Sequence, residues 1–450
     1  MPLGENMKRV YDIIESNQLS TKIIRFISNN PLYKSVFVLG SGTILAQLIG
    51  ILSMPIITRI YTPEDLGLLA AYTSILSIVA VTATFRYEFA YALPKRDDGA
   101  ANLFALCLIL LIATTAGFSL ILLFGGDILV NILNLDPLAD YVLLLILGFF
   151  GIGLYTTLNY WAIRQRDYKR ITYTKINQSA CSAVFKILLG FLSFGPIGLI
   201  IGHVVSEIAG IGTYSRAMWI KERDGLRRIS FSGIKTVAKE YWSFPVLNLP
   251  ASIVNNFTIY LPAIMLLAIY DGQTAGFYAL ANSMMVIPGS AISRSLAQAY
   301  LGEASKMVRE ESQDLRSLYV KTIRHLSFIA IPLIGTFALC APFVVPVIFG
   351  EAWIEAGWYC LPLALHVIPN FIVYPTTKLE IYGFNHWKLI WDITRLVAVF
   401  VGFYIGQLYG VPVLIMLTIY ALIMLSMNII LIKLNLKAIS NITHMLSVKA

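Results

Sequence analysis

Apolar residues along the chain gather into about a dozen blocks, at 36–58, 67–92, 101–124, 139–163, 173–193, 197–218, 244–269, 274–298, 323–348, 357–382, 387–408 and 412–434. Each offers the roughly 20 residues that a helix needs to cross the hydrocarbon core of a bilayer. None alternates with a period of two, which excludes a β-barrel, and helices satisfy the backbone in lipid. The links between blocks are short. The longest polar interruption, Lys221–Trp242, falls near the middle of the chain. There Ile234, Val237 and Trp242 can share one face, with Lys235 and Lys239 on another, which predicts an interfacial helix joining two halves. Residues 301–322 and the Ile23–Ile27 stretch pattern the same way.

Basic residues occupy alternate links. Of the 34 Lys and Arg, 27 lie in the N-terminal segment, in every second link or in the tail, and the intervening links hold only Arg59. Short basic loops stay in the cytoplasm, so both termini are expected there and the number of spans is even. The organisation expected is an amphipathic segment 1–34, a six-helix lobe 35–220, an interfacial linker 221–242, a second six-helix lobe 243–436 and a tail 437–450. The fold class is therefore all-α integral membrane, with about 12 spans around a central cationic cavity.

Composition agrees: 57% of residues are hydrophobic and 13% charged, with a mean hydropathy of +0.73. Soluble domains carry about 25% charge. The net charge of +9 is spread over short links and does not argue for nucleic acid. Cys107, Cys181, Cys340 and Cys360 sit in apolar stretches and read as packing residues without a disulfide. Residues 1–34 lack the apolar core and small-residue cleavage site of a signal peptide, so the first span is expected to direct insertion. No phosphate-binding glycine loop, metal spacing or catalytic triad stands out, so no enzyme and no cofactor are expected. Without an ATP motif, any work comes from a proton or sodium gradient, or from a downstream pull.

The informative residues are the cations inside the blocks: Arg86, Lys175, Lys186, Arg294, Lys378 and Arg395. A cation at the bilayer centre costs about 2.5–3.5 kcal/mol even on lenient insertion scales, so each needs compensation. Lys175, Ser179, Ser182 and Lys186 recur at helical spacing and share one face. So do Asn248, Ser252 and Asn255/Asn256, and so do His366, Asn370, Tyr374 and Thr377/Lys378. Asn282, Ser290, Ser293 and Arg294 form a less regular fourth stripe. Interhelical hydrogen bonding accounts for serines alone. Stripes that include a cation point to a wet cavity between two lobes. Among the pairs, His203 with Glu207 and Asp392 with Arg395 can meet on one helix face, whereas Arg86 and Glu88, two apart, should point in different directions. Lys186 and Arg294 have no acid within a turn and are the best candidates for unpaired cavity charge. Arg59, at an outer helix end, can snorkel.

A weak internal repeat relates Ile60-Tyr61, Gly67 and Ala70 to Ile269-Tyr270, Gly276 and Ala279 at one constant offset. Both copies start on the same side, so the halves are parallel and related by a pseudo-twofold axis along the membrane normal.

One stretch is specific enough for a resemblance. Gly40-Ser41, Ala46-Gln47-Leu48-Ile49, Pro55 to Gly67 (through Thr58-Arg59-Ile60-Tyr61-Thr62-Pro63-Glu64-Asp65), Phe85-Arg86-Tyr87-Glu88 and Leu93-Pro94-Lys95 resemble the amino-terminal half of O-antigen flippases of the Wzx type. These belong to the multidrug/oligosaccharidyl-lipid/polysaccharide (MOP) exporter superfamily. The resemblance implies two six-helix lobes, alternating access, and a cargo of oligosaccharide repeat units on undecaprenyl diphosphate moved between leaflets of the bacterial inner membrane. A polysaccharide polymerase and glycosyltransferases are implied as partners beside the lipid-linked saccharide and the bilayer. On this reading Arg86, Lys186, Arg294, Arg59, Lys175 and Lys378 are candidates for the diphosphate. Gln47, Asn248, Asn255, Asn256, Asn282, Asn370 and Tyr374 are candidates for the sugars, and Glu88, Glu207, Glu380 and Asp392 for ion or proton coupling. The nearest rivals are a cation-coupled drug exporter and a peptidoglycan-precursor flippase. A membrane polymerase or glycosyltransferase is disfavoured by the short outer links.

Overall fold

The computed structural model describes residues 31–133, 136–221, 228–310, 312, 314–379 and 381–449. Residues 1–30 of the expected amphipathic segment 1–34 lie outside these residues, as does Glu380; residues 31–34 belong instead to the first helix. In the first half run α1 (Pro31–Ile60), α2 (Pro63–Val79), α3 (Asp97–Leu133), α4 (Val142–Arg164), α5 (Tyr168–Phe191), α6 (Pro196–Ile208) and α7 (Ile211–Lys221). A short helix, α8 (Phe231–Glu240), leads to the second half: α9 (Leu249–Ile269), α10 (Gly272–Arg309), α11 (Leu315–Phe349), α12 (Ile354–Thr376), α13 (Asn385–Leu408) and α14 (Val413–Lys449).

Among the described residues ten helical segments are long and apolar enough to cross a membrane, α6 and α7 together making one of them, and α10, bent by 42°, makes an eleventh if it counts as one span. The helix α5 is too polar to qualify, yet its 24 residues reach about 36 Å, enough to span. Counting it gives the twelve that the apolar blocks predict. Its polarity is the stripe Lys175, Ser179, Ser182 and Lys186, a first sign that this helix faces something other than lipid.

Within the first lobe α5 packs on α1 and α6, and α4 on α3 and α6; within the second α12 packs on α10, α11 and α14, and α13 on α9 and α14. The seam between lobes is α2 against α9 and α10. The repeat motif explains how that seam begins. Thr62 and Asp271 are repeat equivalents, and both are N-caps. The Thr62 hydroxyl accepts from Asp65 N at 3.2 Å and starts α2, while the Asp271 carboxylate accepts from Thr274 N at 2.6 Å and starts α10. Five residues beyond each cap stands a glycine, Gly67 or Gly276, and the two helices cross there. A Cβ on Gly67 would lie 1.8 Å from the Gly272 carbonyl oxygen, and one on Gly276 1.8 Å from that of Pro63. The pseudo-twofold axis read from the sequence thus passes through a contact of backbone on backbone. This crossing lies at the end of the bundle whose links are poor in basic residues. Two more contacts between lobes close the same end: Trp353 Nε1 donates to Thr58 O at 2.8 Å, and Arg59 Nη2 to Val347 O at 3.4 Å.

The structure corrects several sequence expectations. The block 67–92 is not one helix. It starts at Pro63 and ends at Thr82, and Phe85 and Arg86 then take left-handed φ of 51° and 65° before a 3-10 turn at Tyr87–Ala92. Residues 301–322 form no surface helix, because α10 runs on to Arg309 and α11 starts at Leu315. Tyr300 and Ala304 bury against Leu315 and Tyr319, so the two spans simply continue as a packed pair beyond the apolar zone. The tail likewise extends α14. The block 357–382 ends as helix at Thr376, leaving Lys378 in the turn beyond. Of the expected linker 221–242, residues 222–227 lie outside the described residues and Phe231–Glu240 forms α8; Trp242 does not join its buried face and is 58% exposed. Val237 and Ile234 face the first lobe, Lys235 and Lys239 face outward, and Tyr87 Oη donates to Ala238 O at 2.9 Å.

Candidate functional site

A cavity of about 530 Å³ lies beneath the closed end, between α1, α5, α10 and α11. Its lining is lopsided. Met54, Ile57, Ile287, Phe337 and Phe349 make apolar walls from both lobes, while α5 contributes Ser179, Ser182 and Lys186, and α6 adds Ser206. The serines and lysine line up because positions 175, 179, 182 and 186 fall on one face of a helix. The α6 backbone presses against this wall at Gly202, where a Cβ would stand 2.5 Å from Lys186 Cγ. Behind the wall, Tyr61 Oη donates to Lys186 O at 2.7 Å. His203 Nε2 sits 3.8 Å from Glu207 Oε1, and Glu207 attracts Lys186 through space. Among the described residues, no hydrogen bond or ion pair within 4 Å reaches the half-buried Lys186 ammonium.

Nearer the basic end, residues from both lobes converge. Lys175 Nζ on α5 donates to Thr43 Oγ1 on α1 at 3.2 Å. Gln47 Nε2 on α1 donates to Ser290 Oγ on α10 at 3.1 Å, a bond between lobes. Arg294 reaches back along its own helix, with Nε donating to Ser290 O and Nη2 to Ser290 Oγ, each at 3.1 Å. Lys175 and Arg294 are close enough to repel one another. Two cations from opposite lobes are thus linked through Thr43, Gln47 and Ser290 along one stretch of the seam, and no carboxylate is bonded to either among the contacts described. Straddling the α10 bend, a smaller pocket of about 200 Å³ gathers Ser290, Ser293, Arg294, Asn370, Phe371 and Tyr374. An arginine, an amide and two aromatic rings at one surface can hold an anion and stack on sugar faces.

The remaining candidates are placed elsewhere. Arg86 lies at the basic end where α2 unwinds. Its left-handed backbone abolishes the helical spacing that separated it from Glu88, and the two approach to 3.5 Å. The guanidinium also stands 5.0 Å from the Phe89 ring centroid, and the buried Glu88 accepts from the Thr84 hydroxyl. Arg59 is bonded at the closed end. Lys378 lies beyond α12, its backbone N donating to Asn435 Oδ1. Asn248 is exposed in the π turn before α9, and Asn282 is half-buried on α10. Asn256 Nδ2 donates to Ser77 O across the seam at 3.1 Å. Asn255 accepts from Arg395 Nη2 at 3.1 Å. Asp392 is buried between Lys388, at 2.6 Å, and Arg395, at 3.2 Å. Trp391 lies against both cations. This is a charge cluster inside the second lobe, separate from the cavity. Sequence reading missed Lys388 as a partner, although its four-residue spacing from Asp392 carries that signal, and missed Ser290 as the junction of Gln47 and Arg294.

Comparison with known proteins agrees with this architecture. The lipid II flippase MurJ in an inward closed conformation superposes with a TM-score of 0.69 at 12% identity, covering 92% of this chain and 92% of that one. An inward-facing multidrug resistance MATE family transporter of the MOP superfamily gives 0.65 at 16% identity, covering 88% of this chain and 95% of that one. At such identities the likeness speaks for the fold. The succinoglycan biosynthesis transport protein ExoT of Rhizobium meliloti (strain 1021) is 22% identical over 317 residues, 69% of this chain; the match spans 61% of that relative's length. These relatives are transporters and flippases, in agreement with a chain that is not an enzyme. The family described as polysaccharide biosynthesis protein matches residues 56–357, more than half of the sequence, and this multi-pass membrane protein belongs to it.

Proposed function

We propose that this chain is a flippase that moves undecaprenyl-diphosphate-linked oligosaccharide repeat units, for O-antigen, capsule or a related polysaccharide, from the cytoplasmic to the periplasmic leaflet of the inner membrane. The observation that carries the reading is the run of hydrogen bonds that brings Lys175 and Arg294 together from opposite lobes, Lys175 to Thr43 on α1 and, one turn further along α1, Gln47 to Ser290, which also accepts from Arg294, beside a pocket with Asn370 and Tyr374. Facing cations cost energy in a bilayer unless an anion joins them. A diphosphate supplies that charge, and Arg presents a planar fork suited to it. No Asp or Glu lines either pocket among the described residues, which favours an anionic cargo over a cationic drug. The positive-inside pattern puts the basic end and both termini in the cytoplasm, so the closed end faces the periplasm and the site is poised to load from within. Coupling to a proton or sodium gradient is part of the proposal, with Glu207, facing Lys186, as the carboxylate nearest the path.

The test is transport of fluorescent lipid-linked oligosaccharide between leaflets of proteoliposomes. Protein-dependent translocation is expected, with Arg294→Ala and Lys175→Ala each weakening apparent affinity about tenfold, the loss of one charge-assisted contact of about 1.4 kcal/mol. Equal transport with and without protein would reject the reading.

A further inference from the structure

The cavity holds a cation that the loading site does not use. Lys186 stands eleven residues beyond Lys175 on α5, so the two are about 16 Å apart along the axis and only about 20° apart around it. They share one face, and Ser179 and Ser182 fill the interval, lining the cavity with Lys186. Lys186 is the single charged residue in that lining among the described residues. No hydrogen bond or ion pair reaches its ammonium among the described residues, and the carboxylate that attracts it, Glu207, is already beside His203. A half-buried ammonium with no partner among the described residues is an expensive feature in a bilayer that a ligand anion would stabilise. The wall opposite is apolar, built from Ile287, Phe337 and Phe349, so the anion's remainder must include hydrocarbon.

We infer that Lys186 is a second phosphate station. The diphosphate loads between Lys175 and Arg294 near the basic end, then passes along the hydroxyls of Ser179 and Ser182 to Lys186 beneath the closed end, while its lipid chain stays against the apolar wall. The inference rests on the flippase reading and adds an order of events to it. The two cations act in sequence along one helix face.

Kinetics separate the stations. In proteoliposomes carrying fluorescent polyprenyl-diphosphate oligosaccharide, Lys175→Ala and Arg294→Ala should raise KM. Lys186→Gln should leave KM within about twofold and lower Vmax about tenfold, with Lys186→Arg restoring most of it because the charge is kept. Ser182→Cys blocked with a bulky thiol reagent, in a protein freed of its other cysteines, gives an independent obstruction of the track and should lower Vmax in the same way, whether or not Lys186→Gln folds. A rise in KM with unchanged Vmax in Lys186→Gln would place all three cations in one site and overturn the inference. So would unchanged kinetics in both Lys186→Gln and blocked Ser182→Cys. Failure of the unmodified protein to move the lipid at all would instead reject the flippase reading itself.

Discussion

Replacing Gly67 with Ala is a small change whose consequence is set by geometry. The added methyl would sit 1.8 Å from the Gly272 carbonyl oxygen and 2.8 Å from Gly276 N. Ordinary contact begins near 3.4 Å, so α2 and α10 must part by about 1.6 Å at their crossing. The obstacle is backbone, which has no rotamer to escape into. Overpacking of this kind costs about 1–3 kcal/mol, and it bears on the closed arrangement alone, because helices that have separated no longer meet there. The helix propensity gained by Ala acts in both states alike and cancels. The population of protein open at the end poor in basic residues should therefore rise about 5- to 150-fold. Ile57, buried at that end and lining the cavity, is a suitable reporter position. With the natural cysteines replaced, Ile57→Cys should react with a membrane-impermeant maleimide added on the side of the closed end far faster in the Gly67→Ala background. Gly276→Ala should do the same. The double variant should add little to either, since helices already parted by one methyl accommodate the second. A Gly67→Ala protein that folds, transports and leaves the thiol at position 57 as protected as before would refute the idea that this crossing closes the molecule.

Three further outcomes are expected. Trp353→Phe removes the indole donor to Thr58 O and should lower stability by about 0.5–1.5 kcal/mol, seen as a reduced melting temperature and faster maleimide labelling in the Ile57→Cys reporter. Asp392→Ala strands Lys388 and Arg395 and should destabilise the second lobe by about 3–5 kcal/mol; normal thermal stability with a lost response to the ion gradient would instead make Asp392 a coupling carrier. Tyr374→Ala and Asn370→Ala should weaken competition by the oligosaccharide diphosphate while sparing that by a polyprenyl diphosphate without sugars, and equal losses for both competitors would remove these residues from saccharide recognition.

What could be read in advance depended on whether the backbone stays regular. The α5 stripe was legible because Lys175 to Lys186 obey one helical period from end to end, and the structure puts Ser179, Ser182 and Lys186 in one cavity wall. The repeat around Tyr61 and Tyr270 was legible as symmetry, though not as a seam, since a glycine's closeness to another backbone leaves no mark in sequence. Arg86 was misread for the opposite reason. The left-handed Phe85 and Arg86 interrupt the period that placed Glu88 out of reach. Lys378 was assigned to a stripe that stops before reaching it. Charge also misled at 301–322, where the apolar row Tyr300, Ala304, Leu315 and Tyr319 decides the packing and the charged residues only decorate it.

The polarity of α5 has a consequence for how the protein is made. Apolar segments leave the translocon because lipid welcomes each of them singly. A segment with Lys175 and Lys186 as well as Ser179 and Ser182 has no such individual welcome, since a lysine works against partitioning, by up to about 2.5–3.5 kcal/mol at the bilayer centre. Its companions are α1, already threaded, and α6, still to come, both of which pack against it. During synthesis, then, α5 depends on a neighbour to shield its wet face, and the helix that lines the cavity with Lys186 is poorly able to insert alone.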